Sequence, residues 1–270
     1  MYFLADIGGT KTRTALSLGS EGFDEPTILP TPASYADGLG LLSQLAGRAD
    51  EPLASAYIGL PVLLSDDKRS IIDATNLPDW SGKPFADDLE KLLNTRVYLE
   101  NDTAQVGMGE AVHGAGKGAR TIAYFTVSTG VNGARIQDGK LDAGNVGCSV
   151  GRQYVSMDGS GTWEQKISGR AISDRFGKAP QDIAKNDPLW EELAGIVAFG
   201  IHNAVLFWRP DRVVLGGSMF NEIGISVASV AEHVRKIECS GAHSPDIVHA
   251  SLGDLGGLWG ALALLRARES

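Results

Sequence analysis

The chain has 270 residues, 43% of them hydrophobic and 21% charged, the balance of an ordinary globular protein long enough for one or two cored lobes. A net charge of -9 argues against non-specific nucleic-acid binding, because a polyanion is repelled. Two cysteines, Cys148 and Cys239, form neither a disulfide framework nor a zinc spacing, so a reducing cytoplasm is the expected setting. The start carries no basic-then-apolar leader. The longest apolar run, 189–208, is interrupted by Glu191, Glu192, His202 and Asn203, so neither export nor membrane insertion is expected.

Residues 2–5 read as a buried strand and 13–18 as an alternating second one. Between them runs Asp6-Ile7-Gly8-Gly9-Thr10-Lys11. Gly8 and Gly9 allow a tight turn whose N–H groups approach an anion without interference from Cβ atoms. Lys11 adds a point charge, and Asp6 is a hard oxygen ligand of the kind Mg²⁺ takes directly or through water. Anion cradle, cation and carboxylate together point to a nucleoside triphosphate; an ordinary glycine-rich hairpin turn remains the alternative on these residues alone.

Further on, a helix is expected over about 37–48, with Leu39, Leu42, Leu45 and Ala46 on one face, and a strand over 55–60. Asp66-Asp67-Lys68-Arg69 reads as a solvated turn. The loop Ala74-Thr75-Asn76-Leu77-Pro78-Asp79-Trp80 sets an amide and a carboxylate beside an indole, which suits a polyhydroxylated ligand. Trp80 as a buried anchor and Asn76 as a turn residue explain it equally well. A helix over about 84–94 leads to a strand at 96–99 and then Glu100-Asn101-Asp102. Asp102 with Gln105 has the form of an N-cap and its capping-box partner. An Asp at that strand end also sits where open α/β sheets bind ligands.

Gly114-Ala115-Gly116-Lys117-Gly118 reads as a hinge between a first lobe, 1–113, and a second, 114–270. Beyond it the opening pattern returns: a strand at 121–127, the turn Ser128-Thr129-Gly130-Val131-Asn132-Gly133, and a further strand starting at 134. Two copies of one unit imply a duplicated fold in which two facing turns hold one anion. Asp187 and Pro188 start a long helix that Pro210 ends. A later strand, 212–215, runs into Gly216-Gly217-Ser218, where missing side chains let a flat base lie against backbone. The last helix, about 254–267, opens on small residues that permit close packing and is expected to return to the first lobe.

These motifs, in order over nearly the whole chain, resemble the ROK family of bacterial sugar kinases and repressors, within the actin/hexokinase-like superfamily. The resemblance implies an α/β, two-lobed fold of duplicated ribonuclease H-like units with a cleft between the lobes. By it, Asp6, Gly8, Gly9, Thr10 and Lys11 form a first phosphate loop, and Ser128, Thr129, Gly130 and Gly133 a second. Gly216 and Gly217 resemble an adenosine loop, Asn76, Asn101 and Glu164 hold sugar hydroxyls, and Asp102 takes the catalytic position. The activity implied is transfer of the ATP γ-phosphoryl group to a hexose hydroxyl, expected to be the 6-OH as in glucokinases, fructokinases and N-acetylhexosamine kinases, with Mg²⁺ near Asp6. Sugar and ATP are the implied partners, a homodimer is possible, and neither nucleic acid nor membrane is expected. A repressor would carry a helix-turn-helix ahead of Asp6, for which this sequence has no room. A sugar-sensing regulator and a phosphotransferase with another acceptor stay as alternatives.

Two departures matter. Where the family has Glu-x-Gly-His, this chain reads Ser149-Val150-Gly151-Arg152, and the cysteines that complete a zinc site are missing from 155–162. Histidine and cysteines are lost as a unit, so no structural zinc is expected. Ser149 cannot act as a charged acceptor, and Arg152 puts a multi-donor cation where an imidazole is expected. Arg152 either selects a sugar with an acceptor or anionic substituent or pairs with a carboxylate such as Glu164 or Asp158.

Overall fold

The computed structural model describes residues 1–19, 21–142, 149–220, 224–237 and 244–269. It divides into two compact units, Met1–His113 with Leu252–Ser270, and Gly114–Ser251.

The first unit is built on a five-stranded sheet. Strands β1 (Tyr2–Ile7), β2 (Lys11–Ser17) and β3 (Thr27–Pro30) form an antiparallel meander, and β4 (Ser55–Leu60) and β7 (Arg96–Asn101) continue parallel to β1, in the order β3-β2-β1-β4-β7. Every residue of β4 is buried, as expected for a parallel strand covered on both faces. A short hairpin, β5 (Leu63–Leu64) and β6 (Ile71–Asp73), stands apart. Helices α1 (Tyr35–Ala46) and α2 (Phe85–Leu93) contribute Leu42, Leu45, Phe85 and Leu89 to one core. Helix α1 starts two residues earlier than its periodicity implies, because Ser34 caps it and Asp79 accepts from the Tyr35 amide.

Helix α3 (Asp102–Val112) packs on the last helix, α8 (Gly256–Glu269), nearly backbone to backbone. A Cβ on Gly260 would lie 1.8 Å from the Gln105 carbonyl oxygen, and one on Gly109 would lie 2.6 Å from that of Gly256. Alanine at either position would force the helices apart. Residues 253–255 form a separate 3-10 turn, so α8 begins later than the small-residue run implies.

The second unit repeats this plan. Strands β8 (Thr121–Val127), β9 (Val131–Gln137) and β10 (Lys140–Leu141) are antiparallel, and β11 (Arg212–Gly216) and β12 (Asp246–His249) run parallel to β8. The order β10-β9-β8-β11-β12 matches the first sheet strand for strand, so the echo in the sequence is a duplicated topology. Helices α4 (Trp163–Ile167), α5 (Gly169–Phe176), α6 (Leu189–Trp208) and α7 (Val227–Ile237) accompany it. By length and composition α6 could cross a membrane, yet Leu193, Ala194, Val197 and Ile201 on it are fully buried in the unit's core. Pro188 takes its N-cap position, and Asp187 reaches past it to accept from the Leu189 amide at 2.9 Å.

Candidate functional site

In the first unit, Asp6 lies opposite Gly59 and Gly59 opposite Glu100, so the carboxylates gather at the carboxyl ends of three parallel strands, where open α/β sheets place ligands. The Asp6 side chain is 13% exposed, with the Arg13 guanidinium 3.8 Å away. It lies against the first turn of α8, where a Cβ on Gly257 would come within 2.2 Å of Asp6 Cγ. The partial positive charge of that helix start favours the carboxylate. Burial nonetheless pushes the Asp6 pKa up to about 7; Asp102 and Asp254 add to the rise, and Arg13 opposes it.

Asp102 is the first residue of α3 and does not cap it. Strand β7 runs on through Asn101, whose extended backbone places its Oδ1 to accept from the amides of Thr103 and Ala104, at 3.1 and 3.3 Å. The expected capping box does not form. Gln105 is fully buried, and its Nε2 donates to the carbonyls of Ala5 and Gly257, at 2.9 and 3.0 Å. The Asp102 Oδ1 accepts from the Thr103 amide at 2.7 Å, and its Oδ2 has no protein partner among the described residues. Burial raises its pKa against that hydrogen bond.

The first glycine turn is closed by the Gly8 amide donating to the Lys11 carbonyl at 2.8 Å. Thr31 clamps it from the end of β3. Its hydroxyl donates to the Gly8 carbonyl at 2.7 Å, its amide to the Thr10 carbonyl at 3.0 Å, and the Thr12 hydroxyl lies 3.0 Å from its own. The exposed amides of Gly9 and Thr10 have no protein acceptor among the described residues, and exposed Lys11 follows them. Asn76 is brought against this turn: a Cβ on Gly9 would lie 3.5 Å from that of Asn76. Trp80 is a core anchor, 1% exposed and packed on Tyr35, Gly38 and Phe85, while Asn76 stays at the surface.

The second turn is shorter than expected, because β9 resumes at Val131. The Ser128 amide donates to the Gly130 carbonyl at 2.9 Å, and the Ser128 carbonyl accepts from Gly169 at the start of α5, at 2.7 Å. Glu164 Oε2 accepts from the Val131 amide at 2.8 Å, so the residue expected to hold sugar also pins this turn. The amides of Thr129 and Gly130 have no protein acceptor among the described residues. Gly133 lies inside β9, where a Cβ would come 2.6 Å from the Phe125 ring; its missing side chain serves packing. Gly217, at φ +97, would bring a Cβ within 2.4 Å of the Val127 carbonyl oxygen, and Ser218 donates its amide to the Ser128 hydroxyl at 3.1 Å. The loop at Gly216 and Gly217 thus abuts the second turn.

Ser149 precedes and Arg152 ends a 3-10 turn that packs on β9, where a Cβ on Gly151 would lie 2.2 Å from the Val131 carbonyl oxygen. Both are exposed. Arg152 makes no ion pair among the described residues. The carboxylates considered for it are engaged elsewhere, Glu164 with Val131 and Asp158 with Ser156 and Ser160. Cys148 and Cys239 lie outside the described residues.

Several contributors are not visible in the sequence: Thr31 as a clamp, Gln105 as a bridge, Gly257 against Asp6 and Lys68 against Glu100. Their hydrogen-bonded partners lie 23 to 152 positions away, and no local pattern announces such pairs.

The chain is similar to known proteins along nearly its whole length. The chain is 27% identical to an N-acetylgalactosamine kinase of Shewanella sp. (strain ANA-3), over 98% of this chain and 96% of that protein. It is 25% identical to a glucokinase of Streptomyces coelicolor, over 97% and 96%. The crystal structure of the ROK hexokinase from Thermus thermophilus superposes with a TM-score of 0.85 at 25% identity, covering 100% of this chain and 99% of that one. A profile of the ROK family matches residues 2–268, so the chain belongs to the ROK family and has its actin/hexokinase-like fold of duplicated ribonuclease H-like units.

Proposed function

We propose that this protein is a carbohydrate kinase that transfers the γ-phosphoryl group of ATP to a hexose hydroxyl, the 6-OH being the expected acceptor. The observation that carries the reading is Asp102: a partly buried carboxylate at a parallel strand end, fixed through one oxygen and without a protein partner at the other among the described residues. The sugar-kinase activities of relatives matched over 96% of their length support it.

The residues fit a metal-bound polyphosphate. The paired free amides of Gly9 and Thr10, and those of Thr129 and Gly130, are donors suited to phosphate oxygens. Asp6 offers the single carboxylate that a phosphate-chelated Mg²⁺ takes from protein, directly or through water. When bound, Mg²⁺ offsets charge on the phosphoryl oxygens.

Asp102 accepts a hydrogen bond from the sugar hydroxyl and orients its oxygen toward the phosphorus. The new O–P bond forms as the bond to the ADP oxygen breaks, and the hydroxyl proton passes to Asp102. A carboxylate is a far weaker base than an alkoxide, so this proton moves late, as a loose transition state allows. Turn amides and Lys11 stabilise the phosphoryl charge. Asn76, Asn101 and Glu164 hold sugar hydroxyls, and Arg152 beside Ser149, exposed and without an ion pair among the described residues, favours a sugar with an acceptor substituent. Asp102→Asn should lower kcat about a thousandfold while calorimetry shows sugar binding within threefold of wild type. Substantial retained turnover in a coupled ADP assay would remove Asp102 from this role.

A further inference from the structure

The charge cluster at 66–69 reads from sequence as a solvated turn; Asp66 and Asp67 are exposed in a turn as expected, but Lys68 and Arg69 are partly buried in ion pairs. Ser65 organises the bend: its carbonyl accepts from the Lys68 amide at 2.8 Å and its hydroxyl from the amides of Arg69 and Ser70, at 3.2 and 2.9 Å. Arg69 turns to Asp87 and Glu90 on α2. Lys68 turns the other way, and its ammonium meets Glu100 Oε2 at 2.5 Å. Its backbone is left-handed, φ +55, a conformation that glycine or asparagine adopts far more readily than lysine. A residue held there against its own preference points to what its side chain reaches.

Glu100 is 11% exposed at its side chain and uses both oxygens. While Oε2 holds Lys68, Oε1 accepts from the Asn101 amide at 3.1 Å. Asn101 in turn caps α3 through Oδ1, and its Nδ2 donates to the Val62 carbonyl at 3.4 Å. The Glu100–Asn101 peptide, one before that leading into Asp102, is therefore held by a relay that begins at an ammonium 32 positions earlier in the chain. No other ion pair to Glu100 occurs among the described residues.

We propose that Lys68 is a positioning residue. Through Glu100 it orients the Asn101 peptide and hence the direction in which the Asp102 carboxylate points. Without the ammonium, Glu100 is a nearly buried carboxylate free to rotate toward solvent, and the Asn101 amide loses a directed acceptor. The inference rests on the kinase reading, since it assigns Lys68 to the orientation of the residue expected to take the hydroxyl proton.

Lys68→Gly tests it, because glycine suits the left-handed backbone while removing the ammonium. The expected result is a kcat lowered about tenfold and KM for ATP within twofold of wild type, with Tm within a few degrees of wild type because glycine relieves the left-handed backbone as the ion pair is lost. Lys68→Arg should recover kcat to within threefold of wild type. Lys68→Asn, also tolerated at this φ, takes the place of the glycine variant should that one fold poorly. With Glu100→Gln, which keeps an acceptor for the Asn101 amide, the Lys68→Gly substitution should have no further effect on kcat. A glycine variant with kcat within twofold of wild type, or an arginine variant as impaired as the glycine one, overturns the proposal alone. A wild type that releases no ADP in response to any sugar overturns the kinase reading and the proposal with it.

Discussion

The two glycine turns occupy equivalent places in two sheets of identical order, yet they are held by different chemistry. The first is clamped by neutral groups, chiefly the hydroxyl and amide of Thr31. The second is pinned by a carboxylate, Glu164, on the Val131 amide, and by the start of α5. Each arrangement closes the turn with one internal amide bond and leaves two successive amides without a protein acceptor among the described residues. The difference is electrostatic. A charge-assisted bond to a carboxylate is about twice as strong as a neutral one, so one Glu164 contact does the holding that several Thr31 contacts do. It also sets a negative charge beside a turn suited to phosphate, a cost that a neutral clamp avoids. That cost is tolerable if the second Glu164 oxygen also serves the sugar.

Removing the two clamps separately would sharpen this contrast. Glu164→Ala should raise KM for ATP about tenfold, as expected for losing a charge-assisted bond of about 1.5–3 kcal/mol. Gly130→Ala should act alike, since its new methyl would lie 2.9 Å from Glu164 Oε2 and displace the carboxylate from Val131. If Glu164 serves the sugar as well, its alanine variant alone also raises KM for the sugar; unchanged KM values for both substrates would break the comparison. Thr31→Val should have a smaller effect, about threefold on KM for ATP and about 1 kcal/mol in denaturant unfolding, the worth of an ordinary hydrogen bond. An effect on ATP larger than that of Glu164→Ala would reverse the ranking of the clamps.

The smallest effect concerns pH. Strand registers place Asp6 in β1 where β8 has Thr126, so only the first unit carries a titrating group there. The Asp6 pKa is raised from 3.8 to about 7 in the folded protein, against the opposition of Arg13. The unfolded chain therefore releases this proton first. The stability contributed is complete below about pH 4 and is lost as pH rises through 7. Thermal unfolding of the unliganded protein should show Tm falling between pH 5 and 8 more steeply for wild type than for Asp6→Asn, which cannot titrate. Parallel pH profiles for the two would contradict the assignment.

Much of the fold was legible because its signals are local. Strand 55–60 and strand 121–127 read directly from apolar runs between turn residues, and both hairpin turns from their glycines and hydroxyls. The duplication followed from setting one turn beside the other. The candidate site was legible only where chemistry and chain direction coincide, as at Asp6 and at Asp102, both at carboxyl ends of parallel strands. Gln105 misled because the spacing of a capping box is satisfied by chance; its partners Ala5 and Gly257 come together only when α3 and α8 pack through glycines. Lys68 and Arg69 misled because exposed charge is the ordinary fate of such a cluster, while Arg152, for which the sequence left substrate contact and an ion pair both open, makes no ion pair among the described residues.

The sequence by itself determined the repeated strand–turn–strand unit, the glycine positions and the family, since backbone conformation answers to residues a few positions apart. Only the tertiary structure decided which carboxylate is buried, which amides remain without an acceptor and which cation reaches Glu100. Those depend on groups far apart in the chain, brought together by the burial of apolar surface, and no local pattern encodes the partner a side chain will find.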